Sequence, residues 1–382
     1  MKYSIQAICL FLSLFIAQVS FSNDGAFRAA GNQLIPVYET NISVKKEVLS
    51  IKRINEKFAA ITVYYEFFNP GKSKEIEVGF EASSPNGDVQ ISPLKNGHHP
   101  YITAFTVNLN EEDLPFKVSI VSDSLYFRNG QYKTKPLAKA LKEAAENEAV
   151  SFFYVYHFKA LFKEGLNIIK HTYTVELSNS VSENYALTYI LTAAKRWANR
   201  QIDDFTLNID MGNYQDLTIE STFFNKASEW EFSGAVRTAD YKKRADDDFD
   251  RNSARFYVHN GTLHFRKNNF KLGGELNMHA YNFYHYEDRM LIEGATSLPD
   301  NFDCKRDLLP FSIADEENIR KPVDEQSKRM MKNLPFARRG YVFRSPELQS
   351  YFEKHPWYIR NEQYQPVLDQ LTPEEKRWLS QL

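Results

Sequence analysis

The sequence predicts a mainly β protein. An antiparallel, sandwich-like body of one or two units, with one inserted helix, is closed by a small helix-containing C-terminal module. Three observations predict it. Aromatic residues make up 14% of the 382 positions, with 29 Phe and 22 Tyr against 15 Gly, and aromatic side chains suit the half-buried surface of a sheet. Apolar runs with a period of two recur along the chain between proline and glycine turns. Near Pro299 that beat stops, and the start signals of short helices replace it.

The chain opens with Lys2, an apolar run from Ala7 to Ala17, and small residues at Ser20 and Ser22. That order is the n-region, h-region and cleavage site of a secretory signal peptide over residues 1–22. The run is too short to span a bilayer comfortably, so no transmembrane span is expected after cleavage. Cys9 leaves with the peptide, and Cys304 is then the last cysteine. A single cysteine forms no internal disulfide, so the fold must rest on packing, with Cys304 as a buried thiol.

Residues 23–184 form the first β-rich region. Ile61, Val63, Tyr65 and Phe67 share one face of a strand from Ala60 to Phe68, and Ile76, Val78 and Phe80 share a face of the next. Asn69-Pro70-Gly71 between them predicts a hairpin turn. Lys135 to Ala149 is rich in strong helix formers, with Pro136 at the first turn and Leu137, Ala140 and Leu141 on one face, so a helix is expected near 135–149. Phe152–Phe158 and His171–Leu177 return to strand patterning.

Residues 185–300 form a second β-rich unit, with the division somewhere in 184–200. Phe205–Met211 and Leu217–Phe224 read as strands. Ala254–His259, Asn260-Gly261 and Thr262–Lys267 read as a hairpin on a type I′ turn. The charged run from Asp240 to Arg255 reads as a solvated loop.

Residues 301–333 read as a linker with a helical piece near 324–332, and 334–382 as a compact module. Ser345-Pro346-Glu347 and Thr372-Pro373-Glu374-Glu375 each place a cap residue, a proline and an acid at a helix start, and Thr372 with Glu375 fits a capping box.

In this module Phe336-Ala337-Arg338-Arg339-Gly340-Tyr341-Val342-Phe343, then Ser345-Pro346-Glu347-Leu348, Tyr351-Phe352 and Pro356-Trp357-Tyr358, resemble a YARHG domain. That is a small module of extracellular bacterial proteins. Phe336 stands where the motif has Tyr, and Arg339 where it has His. The N-terminal half is similar to an uncharacterised family of secreted bacterial β proteins, through Asn23-Asp24, Ile42–Ile51 and Tyr65–Asn69. Neither resemblance implies catalytic residues.

Composition excludes some functions. The chain is 43% hydrophobic and 25% charged, unlike a disordered or multi-span membrane protein. With 47 basic and 49 acidic residues its formal charge is −2, which does not point to nucleic acid. Nucleophile-elbow, phosphate-loop and dinucleotide motifs are absent, and no HExxH occurs. No cofactor and no metal is expected. His259 and His264 would share a hairpin face, but no acid or cysteine completes a metal site.

Binding candidates remain. Tyr281 to Asp288 interleaves aromatics with His, Glu and Asp, as a sugar platform or as cross-strand packing. In the tail, Arg338, Arg339, Tyr341, Arg344, Trp357 and Tyr358 combine guanidinium forks with aromatic rings, which suit carboxylates or phosphates. The alternative is a mini-core on which the arginines stack. The reading is an exported cell-envelope protein (periplasmic, cell-surface or secreted) with a non-catalytic binding role toward a cell-wall polymer or another envelope protein. An exported hydrolase acting on envelope glycans or peptides is the alternative.

Overall fold

The computed structural model describes residues 27–28, 30–32, 34–37, 40–84, 86–87, 97–122, 127–128, 131–147, 152–180, 182–242, 251–281, 301–313 and 320–382. The expected signal peptide, Asn23-Asp24 and residues 282–288 of the aromatic patch lie outside them, as does 243–250 of the charged run.

The body comprises β1 (Ser43–Arg53), β2 (Phe58–Asn69), β3 (Lys74–Ser83), β4 (Ile102–Leu109), β5 (Lys117–Val121), α1 (Leu137–Asn147), β6 (Phe153–Phe162), β7 (Gly165–Glu176), β8 (Glu183–Ile190), β9 (Ile202–Asp210), β10 (Gln215–Glu220), β11 (Trp230–Ser233), β12 (Val236–Tyr241), β13 (Ser253–Val258), β14 (Thr262–Phe270) and β15 (Leu276–Tyr281). The sheet with the longest strands runs β11–β14–β9–β1–β2–β7–β4 and ends on the short Glu112–Asp113 piece. Its neighbours are antiparallel except β9 and β1, which run parallel. A second sheet runs β12–β13–β10–β15–β8 and continues through short pieces, and a third runs β5–β6–β3 to Leu34–Pro36.

The period-two pattern places the core. In β2, Ala59, Ile61, Val63, Tyr65 and Phe67 are buried, on the face the sequence predicts. One apolar cluster reaches from Leu34 to Ala280 and takes side chains from all three sheets. The expected division near 184 falls inside it, because β9 pairs with β1 from Ile202 opposite Val44 to Asp210 opposite Lys52. Parallel pairing of strands so distant in sequence leaves no local signal. Helix α1 forms as expected, with Ala140 buried and Leu137 and Leu141 packed on the same cluster.

Both expected hairpins are corrected. Strands β2 and β3 belong to different sheets, as do β13 and β14. In each case two antiparallel strands turn a corner together. β2 and β7 pair in the first sheet, and their continuations β3 and β6 pair in the third. The buried Asn69 ties this corner, donating from Nδ2 to the Phe162 and Lys163 carbonyls at 3.2 and 3.3 Å. Likewise β11 with β14 continues into β12 with β13. There Gly261 has φ +102°, and a Cβ on it would lie 1.6 Å from the Ser233 carbonyl oxygen. The turn residues mark a change of direction; they do not choose between reversal and corner.

The C-terminal unit has its own core, with α2 (Glu325–Ala337), α3 (Pro346–Phe352) and α4 (Pro373–Ser380). Residues 301–313 are not a free linker. Phe302, Cys304, Leu309, Phe311 and Ile313 are buried with Met330, Leu334, Phe352, Trp357 and Trp378. Cys304 is the buried thiol the sequence suggests, and burial pushes its pKa up. Asp324 caps α2 by accepting from the Ser327 amide at 2.7 Å. Pro335 lies inside α2 and cannot donate to Met331; the Trp378 indole donates to that carbonyl at 2.8 Å instead. The Thr372–Glu375 capping box forms as expected, whereas Ser345 makes no side-chain cap.

Candidate functional site

The Arg338-Arg339-Gly340 segment follows α2 directly. Gly340 has φ +81°, and a Cβ there would meet the Ile359 carbonyl oxygen at 2.1 Å. The glycine therefore lets the chain turn beneath the 357–361 segment, and it leaves both arginines aimed inward. Arg338 is buried and donates from Nη1 to Glu375 at 2.9 Å. Arg339 also reaches Glu375, and donates to the Pro335 and Gln370 carbonyls. Glu375 is fully buried and caps α4 as well.

The body contributes the other half of this junction. Tyr214, at φ +55° between β9 and β10, lies under both guanidinium groups, 4.8 and 4.9 Å from its ring centre. Such an arrangement joins cation–π attraction to desolvation. His259, at the β13–β14 corner, faces the Arg338 and Trp357 carbonyls with its two ring nitrogens, each at 2.7 Å. Burial holds its pKa below the ordinary value. Tyr257 packs edge-on against Phe311 at 5.8 Å. The module is thus latched to the body by two tyrosines, one histidine and two arginines.

Of the six tail residues the sequence singles out, four serve inside the protein. Arg338 and Arg339 are engaged as described. Trp357 is buried and donates to the Leu309 carbonyl at 3.2 Å, and Tyr358 is buried and donates to the Tyr341 carbonyl at 2.6 Å. Tyr341 is half-buried and Arg344 is exposed. His259 and His264 do not share a site: His264 contacts Asn208 and Ser233 in the first sheet. Among the described residues no group of three or more potential ligands could hold a metal ion.

A cleft of about 630 Å³ lies beside the latch, walled by the body and the module together. From the body come Arg53, Tyr185 and Gln215. Arg53 lies over the Tyr185 ring at 4.7 Å and donates to Gln215 at 3.0 Å, and the Tyr185 hydroxyl donates to the same amide oxygen at 2.8 Å. From the module come Ser312, Arg338 and Arg377. The Nε of Arg338 is buried and has no hydrogen-bond partner among the described residues. Burial lowers the pKa of this guanidinium to about 10, so it stays charged at neutral pH. An unpaired buried donor is costly and calls for an acceptor. The described lining holds three acids: Arg255 grips Asp216, donating from Nε at 2.7 Å, Arg377 lies 3.8 Å from Glu374, and Glu56 is exposed. No histidine is among the described lining residues.

Sequence reasoning missed the body side of this site. Nothing local in the sequence shows that Arg53, Tyr185 and Gln215 meet.

Comparison with known proteins bears on both halves. Residues 320–382 match the YARHG domain, and the match takes in all of α2, which the expected boundary at 334 would cut. No curated protein matches the chain. Among solved structures the chain is similar to a Legionella pneumophila protein described as a "putative nutrient binding protein", at 17% identity and a TM-score of 0.52, over 93% of this chain and 98% of that one. Baculovirus P35 matches at 10% identity and a TM-score of 0.26, over 65% of this chain and 99% of that one. An M1 zinc metallopeptidase from Deinococcus radiodurans matches at 7% and 0.20, over 63% of this chain and 42% of that one. The first is a likeness of fold; the other two are too slight to inform.

Proposed function

We propose that this is an exported bacterial envelope protein that binds a small, oxygen-rich ligand in the cleft between body and module. The observation that carries the reading is the cleft itself, which body and module wall together with charged and amide side chains. A ligand's carboxylate, ether or hydroxyl oxygens would meet Arg53, Asn213, Gln215 and Arg377, beside Tyr185, Tyr214 and Tyr281, while Glu56 and Glu374 would accept from its hydroxyls. Planar polar groups with tyrosines suit sugars and sugar acids, which present oxygens at the edge and a flat apolar face. The volume falls in the range of small-molecule sites. The likeness to a protein described as nutrient-binding agrees with a small ligand, and the YARHG resemblance agrees with export.

The test is a melting-temperature screen of the purified chain against neutral sugars, sugar acids, soluble wall muropeptides and amino acids. A sugar or sugar acid should raise the melting temperature of the wild type and do so less in Arg53→Ala. If only apolar compounds bind, or Arg53→Ala responds like wild type, the reading fails. Cell fractionation checks export: recovery in the cytoplasmic fraction contradicts it.

A further inference from the structure

A second depression lies elsewhere on the body and shares no lining residue with the cleft. It is a groove of about 840 Å³, and four cations stand on it: Lys74, Lys195, Arg196 and Arg200. No acid is among the described lining residues, in a chain whose formal charge is −2. Arg196 is neutralised by Glu81 at 3.0 Å, and Lys74 rests on Asn41. Lys195 and Arg200 are exposed and have no ion-pair partner among the described residues.

The groove is rigidly built. The loop bearing three of the cations is nailed down by Trp197, whose ring lies 4.4 Å from Phe67 in the core and whose indole donates to the Leu34 carbonyl at 2.8 Å. Asn199 brackets Val44, accepting from its amide at 3.1 Å and donating to its carbonyl at 2.8 Å. Arg200 then takes φ +51°, a left-handed conformation that an arginine adopts at a cost. A glycine would suit that backbone better, yet the position holds a long cation aimed away from the core. With Arg196 neutralised by Glu81, Lys74, Lys195 and Arg200 remain as like charges that repel, and an anion relieves the repulsion.

We infer that this groove binds a phosphate-bearing anion. Guanidinium forks match phosphate oxygens in pairs, and lysine adds a point charge. The groove is large enough for more than one phosphate, so linked phosphates should bind better than orthophosphate. The same chemistry is offered by free phosphate compounds and by phospholipid headgroups.

The test measures the melting temperature of the purified chain in tripolyphosphate and in orthophosphate at low salt, and its co-flotation with phosphatidylcholine vesicles with and without phosphatidylglycerol. Tripolyphosphate should stabilise the wild type, and its apparent Kd should rise about tenfold in Arg200→Gly and in Lys195→Glu. Without ligand Arg200→Gly should melt at or above wild type, because glycine accepts the positive φ; lost binding in that variant is therefore not lost folding. Arg53→Ala, which alters only the cleft, should keep the tripolyphosphate response, so the two sites fail independently. Flotation with phosphatidylglycerol that tripolyphosphate competes away names a headgroup as the source. Tripolyphosphate binding without flotation names a free phosphate compound. No response to either, or equal responses in wild type, Arg200→Gly and Lys195→Glu, overturns the inference.

Discussion

Replacing Glu375 by glutamine removes one negative charge from a fully buried position that faces two guanidinium groups. Glutamine keeps the shape and still accepts from the Thr372 amide, so the capping box survives. The loss is then electrostatic. Breaking a buried ion pair by removing one partner costs about 3–5 kcal/mol, because the other charge is left uncompensated. Arg338, the more deeply buried of the two, bears most of that. Glu375→Ala should cost about 1 kcal/mol more, the worth of the cap. The assay is urea unfolding followed by tryptophan fluorescence. Trp357 and Trp378 report the module, while Trp197 and Trp230 report the body. Glu375→Gln should shift the module's transition to lower urea. A change below about 0.5 kcal/mol, the size of a typical surface substitution, would refute the view that these arginines are buried on Glu375.

Other outcomes follow from buried groups. His171 is enclosed by Tyr65, Phe80, Phe105 and Tyr173, and neither ring nitrogen has a hydrogen-bond partner among the described residues. His171→Phe should therefore stabilise the chain by about 1–3 kcal/mol, measured by urea midpoint. Burial lowers the pKa of His171 and His355 to about 3 and of His99 to about 4. All three stay neutral in the fold and protonate in the unfolded chain below about 6.5, so stability should fall as pH falls from there toward the folded values, by about 1.4 kcal/mol per unit for each histidine. A flat urea midpoint between about pH 6.5 and 4.5 would contradict this, and His171→Phe should shallow the slope. Gly340→Ala must place a Cβ against the Ile359 carbonyl at positive φ and should cost about 2 kcal/mol or more by the same unfolding assay. Cys304 should react with a thiol reagent only at the rate at which the module opens; fast labelling in the native state would contradict its burial.

Much of the fold is legible in the sequence because alternation is local. The buried face of β2 and the face of α1 follow from spacing alone. Partner choice is not local. Asn69-Pro70-Gly71 and Asn260-Gly261 announce turns, but whether a turn folds a strand back or bends a ribbon into the next sheet depends on strands far away. The same reason hides the core that both halves of the body share, since β1 and β9 are far apart in the sequence.

At the site, the Arg338-Arg339-Gly340 motif is visible, and so is its dual meaning of ligand site or packing. The structure gives both arginines to Glu375 and Tyr214, and only the Nε of Arg338 is left over. Replacing Arg338 or Trp357 would therefore disturb folding before it reported on binding. Arg53, Tyr185 and Gln215 come from separate strands and share no motif. The basic groove is not singled out in the sequence: Lys195, Arg196 and Arg200 are close along the chain, but nothing local tells that Lys74 faces them.

The most direct measurement is hydrogen exchange of the whole chain with and without the ligand that scores best in the sugar and sugar-acid screen. Slowed exchange is expected on both walls of the cleft, in 211–216 of the body and in 312–313 and 372–377 of the module, with no protection of 192–200. Protection confined to the module, or absent from 211–216, would contradict a ligand held between the two.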